Sequence, residues 1–308
     1  MSELILHHFP SSPFGEKIRL VMGLKKLKWL SVDAELILPK PKLTALTGGY
    51  RKTPVMQIGA DIYCDSRLIA DELERRFPEK TLFPNSAYAV CHALSSFTDR
   101  DLLIVCSGLA IGVNKKSFSA ELMRDRKNLF GSFLNIDVLD TEIPYLISLL
   151  RSYLAVVENQ LSDQRLFWAG DSPSIADLAI YAQIWTVRSF VPAASSLFLQ
   201  FPLLQQWERR IGQVGHGEPT PITRDDAIHI ARNNISRCEN EIDPLDPLGL
   251  HKDDLVEVTP TDYGCIPVKG KLVTLTTREV AIERENPEVG TVVVHFPRIG
   301  FKIVRSQA

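Results

Sequence analysis

Apolar positions change their spacing three times along the chain. Leu4-Ile5-Leu6 is a short apolar run, stopped by Pro10-Ser11-Ser12-Pro13. Ile18, Leu20, Val21, Met22 and Leu24 then recur as one face of a helix. Trp29 to Leu38 alternates loosely and predicts a strand, and a Pro-, Gly- and Thr-rich loop follows from Pro39 to Thr53. Pro54 to Ile58 and Ile62-Tyr63-Cys64 predict a hairpin around Gly59-Ala60-Asp61. Asp65-Ser66 starts a helix striped by Leu68, Ile69, Leu73 and Phe77, which Pro78 ends. The order is β-α-β, then β-β-α.

Residues 86–213 are helical almost throughout, with predicted helices near 86–106, 117–130, 142–162, 174–190 and 200–213. The clearest start is Ser174, which can cap the helix while Asp177 at its third position reaches back to the cap. From residue 214 the pattern changes again. Gly215 to Pro221 is linker-like, a short helix is predicted around 224–236, and Asp243 to Asp254 is a loop. Five short apolar runs then follow: 255–258, 272–275, 280–282, 292–294 and 301–304. Punctuated by Gly and Pro, they predict a small barrel or curled sheet. The expected division is 1–80, 86–213 and an extension of 214–308 that is β-rich from about 255.

Composition narrows the functions. In 308 residues, 45% hydrophobic and 23% charged residues are ordinary for a soluble globular protein with sizeable cores. A net charge of -2 argues against nucleic-acid binding by bulk charge and against a polybasic membrane surface. The N-terminus lacks the basic and apolar regions of a secretory signal. Leu102 to Val113 is too short to span a bilayer. Cys64, Cys91, Cys106, Cys238 and Cys265 form neither a CxxC nor a zinc spacing, which suits a reducing, cytoplasmic setting. In such a chain the Asn234-Ile235-Ser236 sequon carries no meaning. His251, Asp253, Asp254 and Glu257 are hard ligands without metal spacing, and His7 and His8 point to opposite faces of a strand, so no metal is expected. His216, His229 and His295 are isolated in sequence.

The most reactive chemistry lies at the first strand–helix turn. A helix N-terminus carries roughly half a positive charge and free N–H groups, a place for a thiolate. A free cysteine thiol titrates near about 8.5, and lowering that by two units takes about 2.7 kcal/mol of preference for the anion. One hydroxyl hydrogen bond and the helix end supply that much. Ser12 before Pro13 is equally an ordinary helix cap. Thr53-Pro54-Val55 opens a strand to whose edge a peptide-like ligand can pair its backbone. Asp65-Ser66 can meet the ligand's charged ends or simply cap the next helix.

Those residues, with Ser12 to Arg19, Thr53 to Met56, Asp65 to Ile69, the capped helix Ser174 to Tyr181 and the ending Phe201 to Trp207, make residues 3–212 resemble the cytosolic glutathione transferases. The Ser-Pro-Phe-Gly form is similar to the tau class and, with Ser for Cys, to the omega class. The resemblance implies an α/β thioredoxin-like N-terminal domain, an all-α C-terminal domain and, in this chain, a small β-rich extension. It implies a cis Pro54, with Val55 presenting its backbone to glutathione, Asp65 and Ser66 holding the γ-glutamyl end, and Phe14 and Thr53 lining the site. Lys40 and Lys52 fall where a basic group meets the glycyl carboxylate, or are solvated loop lysines. Ser12, with Ser11 as the alternative, donates to the thiolate of reduced glutathione, which attacks a small electrophile. No cysteine occupies the turn, which disfavours thiol-transferase chemistry. Phe97, Arg100, Asp101 and Val105 fall near one face of a helix and are candidates for the electrophile pocket, or for core and surface. A homodimer is implied. Residues 214–308 match no part of the family pattern. They leave a second possibility, a non-catalytic scaffold that keeps the fold for binding or regulation.

Overall fold

The computed structural model describes residues 3–306. In chain order it contains β1 (Leu4–His8), α1 (Pro13–Leu24), β2 (Lys28–Asp33), α2 (Pro41–Thr47), β3 (Val55–Ile58), β4 (Asp61–Cys64) and α3 (Ser66–Arg76). Helices α4 (Tyr88–Phe97), α5 (Leu103–Asn114), α6 (Ala120–Phe130), α7 (Leu139–Gln160), α8 (Ile175–Phe190), α9 (Ser195–Phe198) and α10 (Pro202–Gly212) follow. Then come β5 (Glu218–Pro221), α11 (Arg224–Arg232), β6 (Glu241–Ile242), β7 (Leu255–Pro260), β8 (Val268–Leu275), β9 (Glu279–Asn286), β10 (Gly290–Pro297) and β11 (Phe301–Arg305). The α/β N-terminal fold, the helical segment and the β-rich extension stand as the sequence predicts. One predicted loop and one linker instead contain α2 and β5.

The chain divides into two compact units. The sheet unit takes the first ten residues, Lys28–Glu72 and everything from Glu218. Its strands form one 11-stranded sheet in the order β11-β7-β8-β9-β10-β4-β3-β1-β2-β5, with β6 pairing β8. Of the expected barrel or curled sheet, the strands form a sheet, an open ladder rather than a closed barrel. The antiparallel run β7-β8-β9-β10 continues, through a parallel β10–β4 pairing, into the N-terminal strands. The reason lies in the apolar faces. Val256, Val268, Leu272, Ile282, Val292, Val294 and Phe296 of the extension share one buried cluster with Leu46, Val55, Ile62 and Cys64. That cluster buries apolar area that neither segment could bury alone.

Strand β1 lies inside the sheet, parallel to β2 and antiparallel to β3, and all five of its residues are buried. Its two histidines go separate ways, as their alternation requires: His7 bonds Gln57 at 2.9 Å and His8 bonds Ser31 at 3.0 Å. Burial lowers the His7 pKa to about 4, so its ring is neutral. Strand β5 pairs in parallel with β2 and is exposed throughout. Pro219 and Pro221 lack the N–H groups that a second neighbour would need, which suits an edge.

The helical unit takes Ser11–Leu27 and Leu73–Gly217, so α1 clusters with the helices that follow. Ser174 and Asp177 form the expected capping box at α8. Asp177 also accepts from the Trp168 backbone at 2.9 Å and the Trp207 indole at 2.8 Å, and burial raises its pKa. The helix predicted over 86–106 is broken by a π turn at Thr98–Leu102. The wider turn takes up about one extra residue, so positions eight apart across it fall on one face where a plain α-helix would let them drift by nearly a quarter turn.

Candidate functional site

In the helical unit, Ser12 is the N-cap of α1. Its Oγ accepts from the Gly15 backbone N–H at 3.0 Å, and the residue is 3% exposed. Accepting that bond uses one lone pair and leaves the hydroxyl proton without an acceptor among the described residues. Capping therefore does not by itself use up the hydroxyl proton. Ser11 is exposed and outside the helix.

Phe14 is the second residue of α1, with the Lys17 ammonium 5.2 Å from its ring centroid. Lys17 is buried and paired with Asp99 at 2.6 Å. That bond ties the helix of Ser12 to the π turn carrying Arg100 and Asp101. Phe97 packs on Tyr153 with 5.6 Å between ring centroids, Arg100 is exposed, and Asp101 is half-buried. Val105 is 1% exposed and lies in the core, so of these four residues Phe97, Arg100 and Asp101 are the ones that reach the surface.

Sequence reasoning missed a link from His216 back to the first turn of α1. His216 bonds Glu16 at 3.0 Å, and Arg19 binds the second oxygen of the same carboxylate at 2.6 Å. Burial works against the charge, yet the His216 hydrogen bond and Arg19 hold the Glu16 carboxyl below its usual range. The backbone beside His216 comes so close to α1 that a Cβ on Gly23 would lie 1.9 Å from the Gly215 oxygen. The start of the segment read as a linker lies close against α1 and the turn after it, and its two glycines were the visible sign.

In the sheet unit, Thr53–Pro54 is a cis peptide, as the resemblance implied. Val55 opens β3, with His7 opposite on β1 and Cys64 opposite on β4. Strand β3 is interior, so a ligand cannot add alongside it as a new strand. Only the start of the strand, beside the cis bond, is left for a ligand to meet. Asp65 directly follows Cys64 and has φ +78, a left-handed conformation uncommon for a residue with a side chain. Its Oδ1 accepts from the Arg67 N–H at 2.9 Å and its carbonyl from Ile69 at 3.0 Å, which caps α3. Ser66 is buried beside it. Burial raises the Cys64 thiol far above its ordinary range, with the Asp65 charge adding and the Lys52 charge opposing, so Cys64 is packing.

Neither candidate lysine is a solvated loop side chain. Lys40 is 4% exposed and donates to the Arg51 carbonyl at 3.3 Å. Lys52 binds both oxygens of Asp262, at 2.8 and 2.9 Å, and stands against the rings of Tyr50, Tyr263 and Phe301. Asp262 and Tyr263 belong to the extension, 210 positions away for the ion pair. Among the described residues no group of three or more His, Cys, Asp or Glu side chains is placed to hold a metal ion. No helix among them is long and apolar enough to cross a membrane.

The profile of the glutathione S-transferase N-terminal domain matches residues 6–81, and that of the C-terminal domain matches residues 121–210. A glutathione S-transferase-like protein of Pseudomonas syringae is 34% identical, with a TM-score of 0.80 over 99% of this chain and 100% of its own. That match therefore runs through the extension. Glutathione S-transferase U3 of Arabidopsis thaliana is 23% identical over 211 residues, 66% of this chain and 82% of its own. Rice glutathione S-transferase 1, solved in complex with glutathione, is 22% identical over 73% of this chain and 94% of its own, with a TM-score of 0.53.

Proposed function

Because the chain belongs to the glutathione S-transferase family, we propose that it activates the thiol of reduced glutathione for attack on a small electrophile. The observation that carries this reading is the Ser12 hydroxyl, buried at the N-terminus of α1 with its proton unspent. In this reading the hydroxyl donates to the thiolate while the helix end favours the negative charge. The thiol proton leaves to solvent, the sulfur bonds the electrophilic carbon, and the leaving group departs with its electron pair. Val55 meets the cysteinyl backbone from the start of β3, beside Thr53 and the cis Pro54. Asp65 and Ser66 hold the γ-glutamyl end, and Lys52 and Lys40 are the cations nearest the glycyl end. Phe14 lies beside the thiol. Phe97, Arg100 and Asp101, joined to α1 through Lys17 and Asp99, are the residues proposed to meet the electrophile. The Ser-Pro-Phe-Gly turn supports a serine-type enzyme similar to the tau and omega classes. The proposal extends to a homodimer in the cytoplasm.

The test is conjugation of glutathione to a chlorodinitrobenzene near pH 6.5, where an unactivated thiol is scarcely ionised. Ser12→Ala is expected to lower the rate by roughly a hundredfold, the loss that two units of thiol pKa represent. Ser11→Ala is expected to leave it unchanged, and the reverse ranking would move the role to Ser11. One observation favours the scaffold reading: the extension already occupies Lys52. Wild-type protein that binds glutathione and conjugates no electrophile would support it.

A further inference from the structure

The loop between β7 and β8, residues 261–267, belongs to the extension, yet it places a carboxylate on a cation of the proposed glutathione site. Asp262 gives both its oxygens to the Lys52 ammonium. Tyr263 covers the same ammonium at 4.6 Å from its ring centroid, with Tyr50 at 5.6 Å and Phe301 at 5.9 Å. The Lys52 side chain is only 9% exposed, whereas that of Asp262 is 43% exposed, so the carboxylate lies on the solvent side of the pair. The loop is held at its root, where the Thr261 N–H and hydroxyl both donate to the Gly300 carbonyl at 3.0 and 3.1 Å. Lys52 is the residue before Thr53 and the cis Pro54.

We infer that Asp262 is an internal carboxylate standing where the glycyl carboxylate of glutathione would otherwise pair with Lys52, and that the extension thereby sets what the site accepts at that end of its thiol ligand. This rests on the reading of Lys52 as a glutathione-site cation. A tethered carboxylate competes at an effective concentration that a free ligand reaches only in the millimolar range or above. An ammonium already saturated by two carboxylate oxygens and three rings has little left to give a second anion. Lys40, the other cation proposed for that end, is 4% exposed with its ammonium on the Arg51 carbonyl and beside the Phe9 ring, which limits its reach to a free carboxylate. The site therefore recognises the γ-glutamyl and cysteinyl parts and is indifferent to the charge of the glycyl end. Thiol peptides whose C-terminal carboxyl is an ester or amide are accepted as readily as glutathione.

The experiment is calorimetric titration of the full-length protein and of Asp262→Asn with reduced glutathione and with its glycyl ethyl ester. Wild type is expected to bind the two within about twofold of each other. Asp262→Asn frees Lys52, so glutathione should bind roughly five- to tenfold tighter to that variant while the ester is unchanged. Asp262→Ala should repeat the result and separates the lost charge from the residual amide. A wild-type preference for glutathione above about fivefold, or an Asp262→Asn variant that binds glutathione no tighter, would overturn the inference alone. No binding of either compound to any of the three proteins would overturn the glutathione reading itself, and this inference with it.

Discussion

Strands β10 and β5 both come from beyond residue 217, and both pair in parallel with a strand that would otherwise edge the sheet β4-β3-β1-β2. Their materials are opposite. Strand β10 is buried from Val292 to Pro297 and carries His295, stacked on Tyr63 at 4.4 Å and 3.3 Å from Asp61. Asp61 is held further by the Ser236 hydroxyl and by the Arg237 N–H at 2.9 Å. Strand β5 is Glu218-Pro219-Thr220-Pro221, exposed throughout, with the open Lys28–Glu218 pair at 3.4 Å. The same pairing geometry thus serves two purposes. At β4 the extension becomes part of the core, whereas at β2 it blunts an edge with prolines. Hydrogen-bonded register alone does not make two segments one folding unit. Shared apolar burial does: β10 supplies it from its own residues, whereas beside β5 it comes from α11, whose Ala227 joins Ile5 and Val32.

The sharpest way to break the comparison is to remove a side chain from the buried junction. Phe296 is fully buried between Tyr50 and Phe301. Phe296→Ala should cost about 3–5 kcal/mol in urea unfolding, as a large core truncation does. Because the cluster is shared, signals from N-terminal and C-terminal strands should be lost together. Loss of the extension alone, with the N-terminal strands intact, would show two units where the account has one.

The second effect is electrostatic. The Asp61 and Glu279 carboxylates outweigh burial and raise the His295 pKa to about 9. Asp61 in turn is lowered, the His295 and Ser236 hydrogen bonds overcoming its burial. A raised histidine contributes stability that is complete below its unfolded pKa, about 6.5, and is lost as pH rises through the folded value. A lowered carboxylate contributes stability above its unfolded pKa of about 3.9 and loses it in acid. The pair is therefore worth most between roughly pH 4 and 6.5, and the wild-type urea midpoint should fall between roughly pH 6.5 and 9.5. His295→Ala leaves Asp61 buried without its cation and should cost about 3 kcal/mol at pH 6. It should also flatten that alkaline slope. An unchanged slope would assign it to other groups.

The smallest effect belongs to the other edge. Lys28→Ala removes half of an exposed ion pair and should leave the urea midpoint where it was. A clear drop would mean that β5 holds the sheet by more than its backbone.

These differences also explain what the sequence made legible. The strands β7 to β11 were visible because Val256, Leu272, Ile282, Val294 and Ile303 stand in apolar runs between Gly and Pro. Their attachment to β4 was not, because Asp61 and His295 lie 234 positions apart and neither sits in a motif. Strand β5 has no apolar residue to betray it, and helix α2 was hidden in a stretch whose Pro, Gly and Thr content reads as loop. At the site, the helix-start signals marked Ser12 and Asp65 because capping and anion binding use the same N–H groups. The Lys52–Asp262 pair escaped because the partner lies 210 positions away, outside the residues that carry the resemblance. The π turn left no pattern in the residues themselves, and it is burial that separates Val105 from Phe97, Arg100 and Asp101.

The central claim concerns one hydroxyl, and the direct measurement is the pH titration of glutathione bound to the protein, followed by thiolate absorbance near 240 nm. The account predicts that the bound thiol ionises about two units below free glutathione, and that Ser12→Ala returns most of that shift while glutathione still binds. A bound thiol that titrates as it does in water, or a shift that survives Ser12→Ala intact, would contradict it.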